Sequence, residues 1–127
     1  PFIKLLSNLS LSLKGHKRMQ VSMNCDAPQE LILPEEIQIA MYRIAQEALH
    51  NIAKHSQAGH VKIECAYRDD EFRLMIRDDG DGFDMNHVMG GLGLKTMRER
   101  AESVGASLEI ESIVGDGTQL SVVVKDV

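Results

Sequence analysis

Glu47, Asn51, Lys54 and His55 recur at helical spacing in the stretch RIAQEALHNIAKH. A helix advances about 100° per residue, so Ile37, Met41, Ile44, Ala48 and Ile52 share one arc, which must lie on a sheet. Asn51 falls inside that arc and Glu47 at its edge, with Arg43 and Lys54 a little further round. A carboxylate and an amide half inside an apolar face are costly when unpaired. Either they are satisfied boundary residues, or they line a pocket between helix and sheet. In such a pocket the amide oxygen can bind a hard cation, and the carboxylate can orient or deprotonate an attacking group.

A second set of chemically useful residues is built on glycine. Eight of the ten glycines lie between Gly80 and Gly117. Asp78-Asp79-Gly80-Asp81-Gly82-Phe83 follows directly on an apolar-alternating run ending at Ile76. Glycines there allow a sharp turn and close approach to a flat ligand. A buried carboxylate at that point only accepts hydrogen bonds and suits an exocyclic amine; a solvated acidic turn is the plainer alternative. An EF-hand loop is excluded, because no glutamate stands at its twelfth position. Gly90-Gly91-Leu92-Gly93-Leu94-Lys95-Thr96 is not a P-loop, since Leu94 separates glycine from lysine, and neither cluster completes GxGxxG. What remains is a glycine loop running into a helix N-terminus, either a plain connection or a phosphate cradle.

The elements that must hold these residues follow from periodicity. Phe2, Leu5, Leu6, Leu9 and Leu13 predict a short amphipathic helix stopped at Gly15. Met19, Val21, Met23 and Cys25 alternate with polar residues as a half-buried strand does. Pro34 introduces a helix over Glu35 to about His55 with acidic residues in its first turn. Val61–Tyr67 and Phe72–Ile76 read as a hairpin, Leu94–Val104 as a helix, and Leu108–Ile113 with Thr118–Lys125 as a last hairpin around Gly115-Asp116-Gly117. Five strands and three helices imply one α+β domain. Its architecture is a two-layer α/β sandwich with a mixed, mostly antiparallel sheet covered on one face by the helices.

Composition narrows the classes further. With 127 residues, 43% hydrophobic and 26% charged, the chain suits one globular domain and excludes disordered and fibrous classes. No apolar run approaches the roughly 20 residues of a membrane span, and no secretory leader is expected ahead of the first strand. The net charge of −5 argues against a nucleic-acid surface, and two Tyr, three Phe and no Trp offer no stacking platform. Cys25 and Cys65, far apart and in no CxxC pair, are expected as buried thiols of a reducing compartment and not as a disulfide framework or zinc site. The five histidines lack ligand spacing for a metal; His16, His60 and His87 are expected as exposed residues at element ends.

Taken in order, the segments resemble the nucleotide-binding domain of sensor histidine kinases. That domain is part of the GHKL (Bergerat-fold) ATPase group shared with gyrase-type topoisomerases, the ninety-kilodalton chaperone and mismatch-repair clamps. Arg43–His55 is similar to its N box, Asp78–Phe83 to its DxGxG box, Gly91-Leu92-Gly93-Leu94 to its second glycine box, and Gly115-Asp116-Gly117-Thr118 to its late GxGT segment. Leu94–Ala101 resembles kinases whose regulators carry helix-turn-helix output domains, of the nitrate-response type. The chain departs from the pattern at Met89, where a glycine often stands, and it lacks the Phe-rich box of other kinases.

The resemblance implies ATP and Mg2+ as cofactors and a role for each residue. Asn51 would ligate magnesium, Glu47 would be the acidic residue near the transferred phosphate, and Lys54 and His55 would approach the phosphates. Asp78 would accept from the adenine amine, Gly80, Gly82 and Phe83 would let the base approach, and Thr118 would support the same corner. Gly91, Leu92, Gly93 and Leu94 would belong to the ATP lid and its phosphate-binding helix start. The implied activity is transfer of the γ-phosphoryl group to a histidine on a helical dimerisation domain of the same protein, and thence to a response regulator. None of His16, His50, His55, His60 and His87 sits in an acceptor motif. Residues 1–15 are expected as the helical tail of the upstream linker and 16–127 as the catalytic domain. The expected setting is cytoplasmic, with a monomeric fragment and a homodimeric full-length protein. The alternatives are a nucleotide-dependent switch without phosphotransfer, and anti-sigma-type or clamp-type ATPases of the same group.

Overall fold

The computed structural model describes residues 1–14, 19–85 and 93–127, with only the backbone of Lys14, His55 and Ser56. Alternation of apolar side chains sets the sheet. Strands β1 (Gln20–Asp26), β2 (His60–Arg68), β3 (Glu71–Asp78), β4 (Ser107–Ile113) and β5 (Gly117–Lys125) lie in the order β1-β2-β3-β5-β4. Among the described strands the β1–β2 pair is parallel and the β2–β3, β3–β5 and β4–β5 pairs are antiparallel. A parallel pair needs a long crossover, here carried by the helix between β1 and β2.

Three helices cover the inward face. In α1 (Phe2–Lys14), Phe2, Ile3, Leu6 and Leu13 are buried, and the Phe2 ring meets Phe72 of β3 edge to face at 5.4 Å. Helix α2 (Glu35–Asn51) starts behind Pro34, whose carbonyl accepts from the Gln38 N–H, and carries Glu35 and Glu36 in its first turn. It buries Ala40, Met41, Ile44, Ala45, Ala48 and Leu49. Helix α3 (Leu94–Ser103) contributes Met97 and Ala101 and is tied to β4 where Arg98 Nη1 donates to the Leu108 carbonyl at 3.2 Å. This is the α+β sandwich that the periodicity implied.

Two local features differ from the sequence reading. The helix expected to run evenly to about His55 ends its α-helical part at Asn51. It continues as a π-helical turn over Ile52–Ser56, closed by Gln57 in the left-handed region at φ 57°. Such widened turns change the spacing of side chains along a helix, and this one begins where the candidate phosphate residues begin.

The second difference corrects the reading of the cysteines. Cys25 and Cys65 are not separate thiols but one disulfide. The parallel register sets them directly opposite, with Cα atoms 4.5 Å apart, within the span that a disulfide bridges. The bridge spans a sequence separation of 40 residues, which the chain-entropy account values at about 4 kcal/mol. Reducing the protein, or Cys25→Ser, should therefore lower the thermal midpoint by on the order of 10 °C for a domain of this size. A midpoint that ignores reductant would show that the bridge does not support the fold.

Candidate active site

On β3, Phe72, Leu74 and Ile76 point inward and are buried, and the two-residue period carries Asp78 to the same face. On β5 the inward row of Val124, Val122 and Leu120 continues to Thr118, and on β4 that of Leu108 and Ile110 continues to Ser112. Register aligns the ends of these rows. Ile76 pairs with Leu120, and Leu120 with Ile110; one step on, Asp78 pairs with Thr118, and Thr118 with Ser112. An apolar row and a polar row thus lie side by side across three strands.

Ile76, Leu120 and Ile110 of the first row and Asp78 and Thr118 of the second floor a cleft of about 260 Å³ beneath α2 and α3, lined also by Ala48, Asn51, Gly82, Phe83 and Leu94. Asp78 is 3% exposed, and its Oδ1 accepts the Gly80 N–H at 2.8 Å. Burial raises its carboxyl above the ordinary aspartate value; the Gly80 bond opposes this, and neighbouring Asp79 adds to it. Asp79 does the opposite work. Its Oδ1 accepts the N–H groups of Gly59 and His60 at 2.8 and 2.9 Å, and its Oδ2 lies 2.9 Å from His60 Nδ1. The His60 N–H bond first, then the His60 ring, hold Asp79 below the ordinary value, and this clamp fastens the end of β3 to the start of β2.

Glycine makes the corner possible at two positions. A Cβ on Gly82, at φ +64°, would stand 2.2 Å from the Ile113 carbonyl oxygen; one on Gly117, at φ +96°, would stand 2.1 Å from that of Asp78. Gly93 opens α3, and a Cβ there would come 2.5 Å from Glu47 Oε1. Glu47 therefore lies against the N-terminus of α3, at the rim of the cleft.

Of the residues singled out in the sequence, the fold brings Asn51, Asp78, Gly82, Phe83, Leu94 and Thr118 onto one cleft, with Gly80 bonded to Asp78 and Gly93 beside Glu47. Lys54 is exposed in the π turn, off the cleft lining. Gly91, Leu92 and the His55 side chain lie outside the described residues. Ser112 was missed. Its hydroxyl accepts the Phe83 N–H at 2.8 Å and lies 2.8 Å from Thr118 Oγ1. The signal was in the sequence, since counting by twos from Leu108 and Ile110 reaches Ser112.

The arrangement suits a nucleotide. A flat apolar floor beside a buried acceptor fits a purine carrying an amine, and glycines that admit no methyl let the base lie on backbone. Among the described residues no group of three His, Cys, Asp or Glu could hold a metal ion unaided. Asn51 nevertheless offers a hard oxygen donor on the cleft, and magnesium commonly takes few protein ligands when phosphates supply the rest.

Comparison with known proteins agrees with this chemistry. The chain is 34% identical over 107 residues to the sensor histidine kinase LiaS of Bacillus subtilis (84% of this chain, 29% of LiaS). It is 38% identical over 95 residues to the sensor protein VraS of Staphylococcus aureus (74% of this chain, 27% of VraS). The chain thus spans under a third of the length of these relatives. Among solved structures, the histidine kinase domain of the Erythrobacter litoralis EL346 blue-light activated kinase shares the fold. It has a TM-score of 0.79 at 20% identity, over 98% of this chain and 58% of that one. Residues 36–127 match the family described as histidine kinase-, DNA gyrase B-, and HSP90-like ATPases. With that match across α2, the cleft and the whole β2–β5 sheet, the chain belongs to this ATPase family.

Proposed function

We propose that this domain binds Mg–ATP and donates the γ-phosphoryl group to a histidine on the helical dimerisation domain of a two-component sensor kinase. The observation that carries the reading is the buried Asp78 carboxylate, set at the end of an apolar row and facing the cleft. In this reading the base lies on Ile76, Leu120 and Ile110, with its amine on Asp78 and with Thr118 beside it. The phosphates extend toward α2 and the N-terminus of α3, whose unpaired N–H groups favour anions. Asn51 holds magnesium, which when bound neutralises phosphate charge, and Lys54, His55 and the Gly91–Leu94 segment approach the same phosphates.

The transfer forms a bond from an imidazole nitrogen of the acceptor to the γ-phosphorus and breaks the bond to the bridging oxygen, releasing ADP. Glu47 orients the attacking ring or takes its proton. Catalysis then rests on positioning and charge neutralisation. The partners are the dimerisation domain of the same protein, with residues 1–15 leading to it, and a downstream response regulator. The Leu94–Ala101 run favours a regulator with a helix-turn-helix output domain of the nitrate-response type. The full-length protein is read as a homodimer. Among the described residues no helix is long and apolar enough to cross a membrane.

Asp78→Asn replaces a charge-assisted acceptor with an amide, and ATP affinity measured by calorimetry should fall at least about ten-fold; undiminished affinity would remove the base from this corner. The same variant should melt higher than wild type without nucleotide at pH 7. A raised carboxyl stabilises the fold fully only below the ordinary aspartate value, and that contribution is lost as pH rises through the raised one. The gap in midpoint should close as pH falls toward the ordinary aspartate range. Asn51→Ala should keep a cooperative melt yet abolish magnesium-dependent labelling of the acceptor domain supplied in trans with γ-labelled ATP. Labelling at the wild-type rate would refute the metal role, and no labelling by wild type would favour a nucleotide switch over a kinase.

A further inference from the structure

Ser112 has no place in the motifs above, yet it is the third member of the polar row. Its hydroxyl has one proton and two acceptor positions. The Phe83 N–H occupies one acceptor position at 2.8 Å, Thr118 Oγ1 stands at 2.8 Å, and the Gly117 carbonyl oxygen at 3.3 Å. Two arrangements hydrogen-bond the Ser112 and Thr118 hydroxyls to each other. If Ser112 donates to Gly117, Thr118 must donate to Ser112 and turns only lone pairs to the cleft. If Ser112 donates to Thr118, the Thr118 proton is free to point into the cleft beside Asp78.

The cleft selects between them. Asp78 in its ionised form only accepts, so it takes a ligand amine. On a purine the atom next to that amine is a ring-nitrogen acceptor, which requires a donor. Thr118, opposite Asp78 in register, can supply one and still keep its hydrogen bond to Ser112 only when Ser112 gives its proton to Thr118. The same Ser112 oxygen fastens Phe83, and with it the glycine turn on which the base rests.

We propose that Ser112 is a positioning residue for base recognition: it sets the direction of the Thr118 hydroxyl and anchors the Phe83 backbone, so that the corner takes a base presenting a donor beside an acceptor. This rests on the nucleotide reading of the cleft. A base with a carbonyl in place of the amine and an N–H in place of the ring acceptor reverses both demands and is rejected.

The test measures binding of ATP and of inosine triphosphate, with magnesium, to the 127-residue chain and its variants by calorimetric competition. Ser112→Ala should weaken ATP roughly ten-fold and leave inosine triphosphate within about two-fold, so that the preference for ATP collapses. Thr118→Val added to Ser112→Ala should cost less than about two-fold more, because the pair acts as a unit. Ser112→Thr and Ser112→Val have nearly the same shape, so their comparison isolates the hydroxyl: the first should retain ATP preference and the second should lose it. Equal loss for both nucleotides, additive losses in the double variant, or a Ser112→Val protein as selective as Ser112→Thr would each overturn the proposal. Failure of the wild type to bind ATP would instead overturn the nucleotide reading beneath it.

Discussion

The site depends on a carboxylate placed where strand alternation demands an apolar side chain. Asp78 sits on the inward face of β3 behind Phe72, Leu74 and Ile76, at the last position before the chain leaves the sheet. One residue earlier or later, the period of two would turn it to solvent. One step deeper, it would be sealed in the core with no ligand to meet it. Its position at the mouth keeps it dry enough to be strong as an acceptor and open enough to be used. The neighbouring glycine turn follows from this, because backbone must fold over Asp78 without adding side chains above it. The Asp79 clamp to Gly59 and His60 follows as well, since the strand end must not fray.

The second condition is space. At Gly82 and Gly117 the chain crosses other backbone so closely that no methyl fits. These contacts join the loop after β3 to the β4–β5 hairpin, reinforced where the Gly115 N–H donates to the Asp81 carbonyl at 2.7 Å. The Asp78 corner is therefore made from two segments, distant in sequence, that are locked by main chain. The opposite rim of the cleft is built differently, from helix ends: α2 widens into a π turn past Asn51, and α3 opens at Gly93 against Glu47.

Much of this was legible in the sequence because the signals are local. Alternation located the five strands, and the 100° arc of α2 puts Asn51 inside the apolar face, where it lines the cleft. The glycine spacing in Asp78–Gly82 marked the turn. What escaped depends on register between distant segments. Cys25 and Cys65 meet only because two parallel strands, joined through a helix, align at those positions, and no short-range rule sets that alignment. Ser112 escaped because its importance lies in what stands opposite it on β5. The π turn escaped because Ile52–Ser56 keeps an ordinary helical composition, and the widening is decided by how the helix end is packed and closed.

The cysteine bridge has a mechanical meaning. A pull arriving along the chain through α1 enters the sheet by β1 and reaches Cys25. From there it can pass across sulfur to Cys65 on β2, so the covalent load path skips the intervening segment. That segment contains α2 and the π turn, with Glu47, Asn51 and Lys54. Load that reaches Cys25 along the backbone can thus cross to the neighbouring strand without running through the segment that faces the cleft.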